Sequence, residues 1–182
     1  MSIPTLIVLM GLPCTGKSAV ADGIAKALAA PVFSVDPLEA TLLRAGITRE
    51  HRSDYAAYDL AMTLARSQLQ LGQSAIVDAV NSIELVRTWW RDLAMEFSVP
   101  RPLIECVCSD AAVHQRRLAE RRRDIPGFIY EPSWTDVEER RAEYEPCAEV
   151  RLLLDAMNPL KRNVREAIDY VRTFNRETDR IR

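Results

Sequence analysis

Histidine is scarce in this chain, with two residues in 182. None of the four cysteines, Cys14, Cys106, Cys108 and Cys147, forms a C-x-x-C pair. That combination argues against a structural zinc site. No apolar run reaches the ~20 residues needed to span a bilayer. Met1 to Met10 is apolar but has no basic flank and no small-residue cleavage site, so it does not read as a signal peptide. Neither sign of charge dominates: the formal net charge is −2, which supplies no bulk attraction to nucleic acid or to an anionic membrane. Internal repeats and low-complexity tracts are missing as well. The expectation is a cytoplasmic protein of a reducing compartment, held together without metal or disulfide. Cys106 and Cys108 alternate along a run of strand type and read as small buried hydrophobes on one face.

What is present is ordinary in amount and regular in order. The hydrophobic fraction is 48% and the charged fraction 27%, as in soluble globular proteins. One domain of this length buries roughly 70% of the surface its unfolded chain exposes, so no staple is needed. Short apolar runs alternate with amphipathic helical stretches. Strands are expected at Thr5–Met10, Val32–Val35, Ser74–Val77, Leu103–Cys108 and Val150–Leu154. Helices are expected from Lys17 to Ala29, from Asp36 to about Gly46, over Tyr55–Leu71, from Ser82 onward, from Asp110 onward, over Trp134–Tyr144 and over Leu160–Phe174, with a frayed tail after that. Asp36 and Ser82 read as helix caps, and Leu85, Val86, Trp89, Trp90 and Leu93 as the buried face of the helix after Ser82. Strands alternating with helices predict an α/β fold: one domain over residues 1–182, three layers, a five-stranded parallel sheet with helices on both faces. Ligands in such sheets bind outside the carboxyl ends of the strands. The residues with chemistry to offer fall there, at Gly11–Ser18, Asp36, Asp78 and Asp110.

Gly11-Leu12-Pro13-Cys14-Thr15-Gly16-Lys17-Ser18 matches G-x-x-x-x-G-K-[ST] between a buried strand and a helix. A triphosphate needs a concave run of backbone N–H groups, and the glycines permit that curvature. Gly11, Pro13, Cys14, Thr15, Gly16, Lys17, Ser18 and Ala19 are the candidate nucleotide-binding residues. Lys17 would reach the β- and γ-phosphates of ATP, and the Ser18 hydroxyl would ligate Mg²⁺. Asp78 ends an apolar strand and is the second candidate for the metal, through a bound water. Asp36 is either the acid that positions an acceptor hydroxyl or a helix cap, and the two roles are compatible.

The most basic stretch is His114 to Arg123, in which Arg117 and Arg121 share a helix face four residues apart. Read functionally, it places cations on a transferring phosphoryl group, where a single arginine is worth roughly 10³–10⁵ in rate. Read structurally, it is a solvated basic face. The Pro- and Gly-containing segment Arg123–Ser133 follows and reads as a loop, so about 117–133 forms a candidate lid. His51, Arg52, Asp54, Tyr55 and Tyr58 are candidates for an acceptor pocket. Arg140, Arg141 and Tyr144 lie in the same region. Trp89, Trp90, Trp134 and Tyr144 read as packing residues, Trp134 being the one placed beside the candidate lid.

Taken together these residues resemble a family. The phosphate loop, Asp36 after the second strand, Asp78-Ala79-Val80-Asn81 and Arg117-Leu118-Ala119-Glu120-Arg121 make the chain similar to small P-loop kinases of the adenylate-kinase-like branch. Within it the likeness is to the group labelled AAA-type ATP-binding proteins, similar to the polynucleotide kinase domain, chloramphenicol phosphotransferase and gluconate kinase. The resemblance spans Thr5 to about Arg123. It implies strand order 2-3-1-4-5, an acceptor-side role for Asp36, and contact of Arg117 and Arg121 with ATP phosphates, Arg116 and Arg122 being rivals one residue away. Leu38 stands where polynucleotide kinases often carry an arginine. The reading is therefore an ATP- and Mg²⁺-dependent phosphotransferase, with Lys17, Asp36, Arg117 and Arg121 as catalytic residues and a hydroxyl-bearing small molecule as acceptor. The alternatives are a 5′-hydroxyl polynucleotide kinase and an ATP-binding regulatory module with slow hydrolysis.

Overall fold

Residues 6–10 are five consecutive apolar side chains, and all of them are fully buried in strand β1 (Leu6–Met10). A run without polar interruption survives only where both faces of a strand are covered, and that is its position here. The computed structural model of the chain describes residues 3–121 and 132–181. Among these, β1 is the centre of a five-stranded sheet whose order is β2-β3-β1-β4-β5, with β2 at Val32–Ser34, β3 at Ala75–Asp78, β4 at Leu103–Val107 and β5 at Leu152–Asp155. Every pairing is parallel. The α/β class, the five parallel strands and the order 2-3-1-4-5 are as expected.

The pleat divides the core in two. Leu6, Val8 and Met10 face a layer formed by helices α3 (Ser53–Gln70) and α4 (Glu84–Glu96), where Trp90 and Leu93 are buried. Ile7 and Leu9 face the other layer, α1 (Lys17–Leu28) and α7 (Leu160–Ile181), where Val20, Ile24, Ala167 and Val171 are buried. Helix α3 presents Ala57, Ala61 and Ala65 at four-residue spacing, all fully buried, so its backbone lies close to the sheet. Gly23 brings α1 close to α7 instead: a Cβ there would sit 2.5 Å from a methyl of Val164 on α7. Three further helices complete the described chain: α2 (Val35–Arg44), α5 (Ala111–Glu120) and α6 (Trp134–Ala142). No helix among the described residues is long and apolar enough to cross a membrane.

Several local expectations need correction. β2 stops at Ser34, so α2 starts at Val35 with Ser34 as its flanking residue, and Asp36 lies inside the first turn instead of at the cap. Pro37 is tolerated there because the first four helical N–H groups have no partner to lose. Ser82 does not cap α4, whose flanking residue is Ile83. Leu85 is exposed, and the position next to Val86 that is buried is Arg87. β4 ends before Cys108, so Cys106 is buried in the sheet while Cys108 is half-exposed beyond it. β5 starts at Leu152, leaving Val150 exposed, and α7 runs on to Ile181 instead of fraying after Phe174. Of the candidate lid, Arg117 to Arg121, Pro132 and Ser133 are described; the remainder lies outside the described residues.

The burial of Arg87, which is fully inaccessible, has a complete chemical account. Its guanidinium donates to the carbonyls of Asn81, Ser82, Glu145 and Pro146 and to the Glu84 carboxylate. Every arm of a buried guanidinium must be used for it to be tolerated. The result ties the segment after α6 to the loop that follows β3, at the carboxyl edge of the sheet.

Candidate functional site

The chain turns as soon as β1 ends. Gly11 has φ +134°, and a Cβ on it would fall 2.1 Å from the Cys106 carbonyl oxygen, so no side chain fits. Its N–H donates to the Val80 carbonyl at 3.1 Å, which joins the loop to the end of β3. Cys14 (φ +63°) and Gly16 (φ +87°) are also left-handed. Such residues turn successive N–H groups toward one side and make an anion-binding concavity, here leading into the positive end of α1. The backbone therefore fits a polyphosphate. Lys17 Nζ donates to the Leu12 carbonyl at 3.0 Å, and the Thr15 hydroxyl donates to the same carbonyl at 2.8 Å.

A cleft of about 390 Å³ opens over this loop. Pro13, Cys14, Gly16, Lys17, Ser18 and Ala19 line it on one side, and Asp36, Asp78, Arg117 and Arg121 line it on the others. These are the residues singled out along the sequence, brought together from the loop after β1 and the start of α1, the first turn of α2, the end of β3 and the end of α5. Gly11 and Thr15 do not line it; they face a separate cavity of about 310 Å³. Asp78 is 5% exposed and accepts the Ser34 hydroxyl at 2.9 Å. Ser18 lines the same cleft, so one hydroxyl and one carboxylate face it together.

Arg117 donates to the Ala156 carbonyl at 3.0 Å, and a guanidinium nitrogen of Arg121 lies 3.5 Å from Cys14 Sγ. Both line the cleft, whereas Arg116 is exposed and does not. Arg122 lies outside the described residues. Asp110 is the cap of α5, accepting the Val113 N–H at 2.9 Å.

A second cavity of about 280 Å³ adjoins the cleft and shares Asp36, Glu39, Arg49, Val80 and Arg140 with it. Asp54, Tyr55 and Tyr58 line it, as expected; His51 and Arg52 do not, and the Arg52 guanidinium lies 3.9 Å from the centre of the Tyr55 ring. Tyr58 accepts the Asn81 N–H at 3.2 Å. Burial pushes its hydroxyl up to about 12, with the nearby carboxylates of Asp36 and Asp78 adding to the effect and Asn81 and Arg140 opposing it.

Four residues escaped the sequence reading. Glu39, one turn after Asp36, is 6% exposed and pairs with Arg49 at 2.9 Å. Their ten-residue separation crosses a helix end and a turn, so no periodicity links them. Arg140 was noted only by its region, yet it lines both cavities. His114 is 1% exposed, with Nε2 2.7 Å from the Pro13 carbonyl. A carbonyl only accepts, so Nε2 carries the hydrogen and Nδ1 faces the Arg141 guanidinium at 3.4 Å. Trp134 packs edge-on against the ring. Burial pushes the imidazole below its ordinary range, the Pro13 contact opposes this, and Arg141, Arg117 and Lys17 add to it. A lone histidine in a basic helix gave no sign that it holds the phosphate loop from behind.

The structure is similar to several solved structures. A putative kinase from Chloroflexus aurantiacus superposes with a TM-score of 0.76 at 25% identity, covering 94% of this chain and 98% of that one. A gluconokinase from Sinorhizobium meliloti gives 0.71 at 20% identity, over 98% and 97%. The Mycobacterium tuberculosis APS kinase, solved with AMPPNP and APS, gives 0.70 at 18% identity, over 94% and 99%. No curated protein matches the sequence. The model of the family described as an AAA domain matches residues 6–143, which is most of the chain and includes the phosphate loop, Asp36, Asp78 and both arginines. The chain belongs to that AAA domain family and has the fold of the small P-loop kinases.

Proposed function

We propose that the protein is an ATP-dependent kinase that transfers the γ-phosphoryl group to a hydroxyl of a small-molecule acceptor. The observation that carries this reading is the continuity of the two cavities, one built on the phosphate loop and the other beyond Asp36. A nucleotide in the first would direct its terminal phosphate toward the second. Mg²⁺, held by Ser18 and through water by Asp78, would supply charge neutralisation between the phosphates. Lys17, Arg117 and Arg121 stabilise the charge that develops on the transferred group. Asp36, at the junction of both cavities, orients the acceptor hydroxyl and accepts its proton. Similarity to proteins named gluconokinase and APS kinase supports the donor side of this reading.

The test is ADP formation with and without a panel of hydroxyl compounds and oligonucleotides, in wild type, Lys17→Ala and Asp36→Asn. Loss of a general base costs roughly 10²–10⁴ in rate. Asp36→Asn is expected to lose at least 100-fold of acceptor-dependent turnover while nucleotide binding persists. Turnover that no acceptor accelerates, unchanged in Asp36→Asn, would replace the kinase reading with that of a nucleotide-controlled module. Stimulation by oligonucleotides alone would point to a polynucleotide acceptor.

A further inference from the structure

Charge is divided unevenly between the two cavities. Asp36, Glu39, Arg49 and Arg140 belong to both, and the signs of these four balance. The charged groups that line only the phosphate cleft are three cations, Lys17, Arg117 and Arg121, against two carboxylates, Asp78 and Glu120, an excess of positive charge. Among the described residues, the groups that line only the acceptor cavity are acidic: Asp54, half-buried at the start of α3, and Glu143, at the end of α6. No cation is found in that part of the wall. One of the two shared cations is already committed. Arg49 forms a two-pronged pair with the buried Glu39 carboxylate, at 2.9 and 3.4 Å.

The rest of the wall is suited to a carbon skeleton. Val35, Val80 and Val86 supply apolar surface, and Tyr55 and Tyr58 supply aromatic rings next to it. The cavity and its continuity with the phosphate cleft make the site; the two acids set its sign. An anionic acceptor entering here would meet four carboxylates, Asp36, Glu39, Asp54 and Glu143, against two guanidiniums, Arg49 and Arg140, of which Arg49 is held by Glu39. An ammonium group would find both acids, Asp54 half-buried in the wall and Glu143 at the exposed rim.

We infer that the acceptor is a positively charged hydroxyl compound, an amino sugar or amino alcohol of about monosaccharide size. Its ammonium would lie between Asp54 and Glu143 and its reacting hydroxyl toward Asp36. This rests on the kinase reading for the transfer step. The phosphoryl group moves from the β–γ bridging oxygen of ATP to the acceptor oxygen, ADP leaves, and the hydroxyl proton passes to Asp36. The amine takes no part in bond making.

The experiment uses matched acceptors that differ in charge: glucosamine, glucose and gluconate, and ethanolamine with ethylene glycol and glycolate. Two readouts are taken on the full chain with wild type, Asp54→Asn and Glu143→Gln. The first is protection against thermal unfolding by each compound with AMPPNP bound, which reports binding without chemistry. The second is acceptor-dependent ADP formation. The expected result is that the amine of each set protects more and has the higher kcat/KM. Asp54→Asn should reduce that preference at least 10-fold while leaving ATP binding unchanged. Preference for the neutral or anionic member, no preference, or an amine preference untouched by both substitutions overturns the inference. Amine binding that depends on Asp54 without any phosphorylated product leaves the binding class standing and overturns the kinase reading instead.

Discussion

Replacing Asn81 tests how the phosphate loop is held to the sheet. Asn81 is fully buried and has φ +50°. Its Nδ2 donates to the Leu9 carbonyl at 2.8 Å, and its Oδ1 accepts the Trp90 indole N–H at 2.9 Å. It thus joins the end of β1 to α4 directly behind the loop. Asn81→Ala strands two buried partners, at about 1–3 kcal/mol each. It also places an alanine in left-handed backbone, at roughly 1–2 kcal/mol. The total is about 3–8 kcal/mol. For a chain of this size each kcal/mol moves Tm by about 2–4 °C, so a fall of at least about 6 °C, and on the order of 15 °C at the middle of both ranges, is expected. Asn81→Gly separates the causes: it keeps the hydrogen-bond loss and relieves the backbone strain, so it should melt a few degrees above Asn81→Ala. Circular dichroism melts with urea titration as a check measure both. A drop below about 2 °C for Asn81→Ala, or a glycine variant melting lower than the alanine one, would refute the reasoning.

Two further predictions concern packing and protonation. Gly23→Ala brings a methyl to within 2.5 Å of Val164, and overpacking of about 1–3 kcal/mol should outweigh the helix propensity gain of about 1 kcal/mol. Adding Val164→Ala should raise the Tm above that of Gly23→Ala alone; if it does not, the helices are not in contact there. His114 is held below its ordinary range in the folded protein, so the unfolded chain takes up its proton first. The stability it contributes is present above about pH 6.5 and is lost as pH falls below that value. Urea midpoints measured from pH 7.5 to 5 should decline, and His114→Gln should flatten that decline; an identical slope in the variant would refute the assignment.

Much of the frame is legible along the chain because its causes are local. Five apolar runs separated by helical periodicity demand a covered parallel sheet, and the glycine spacing of the loop matches one backbone shape. Asp36, Asp78, Arg117 and Arg121 were found because strand ends and i, i+4 spacing are sequence properties, and they do line one cleft. Glu39 and Arg49 were not found, since their pairing depends on how a turn brings the chain back over α2. Arg87 reads as a surface arginine until four carbonyls from two loops surround it. The flanking residue of α2 is Ser34 instead of Asp36, because β2 stops where its pairing with β3 ends, and that of α4 is Ile83 instead of Ser82.

The order of strands and helices, the phosphate loop and the acids at strand ends followed from residue type and spacing alone. They arise from backbone preferences and burial patterns that act within a few residues. Which arginine turns inward, what holds the loop from behind, and the charge of the cavity beyond Asp36 were decided only by the tertiary structure. Each is a contact between segments tens of residues apart, and such contacts exist only once the sheet has brought those segments to the same edge.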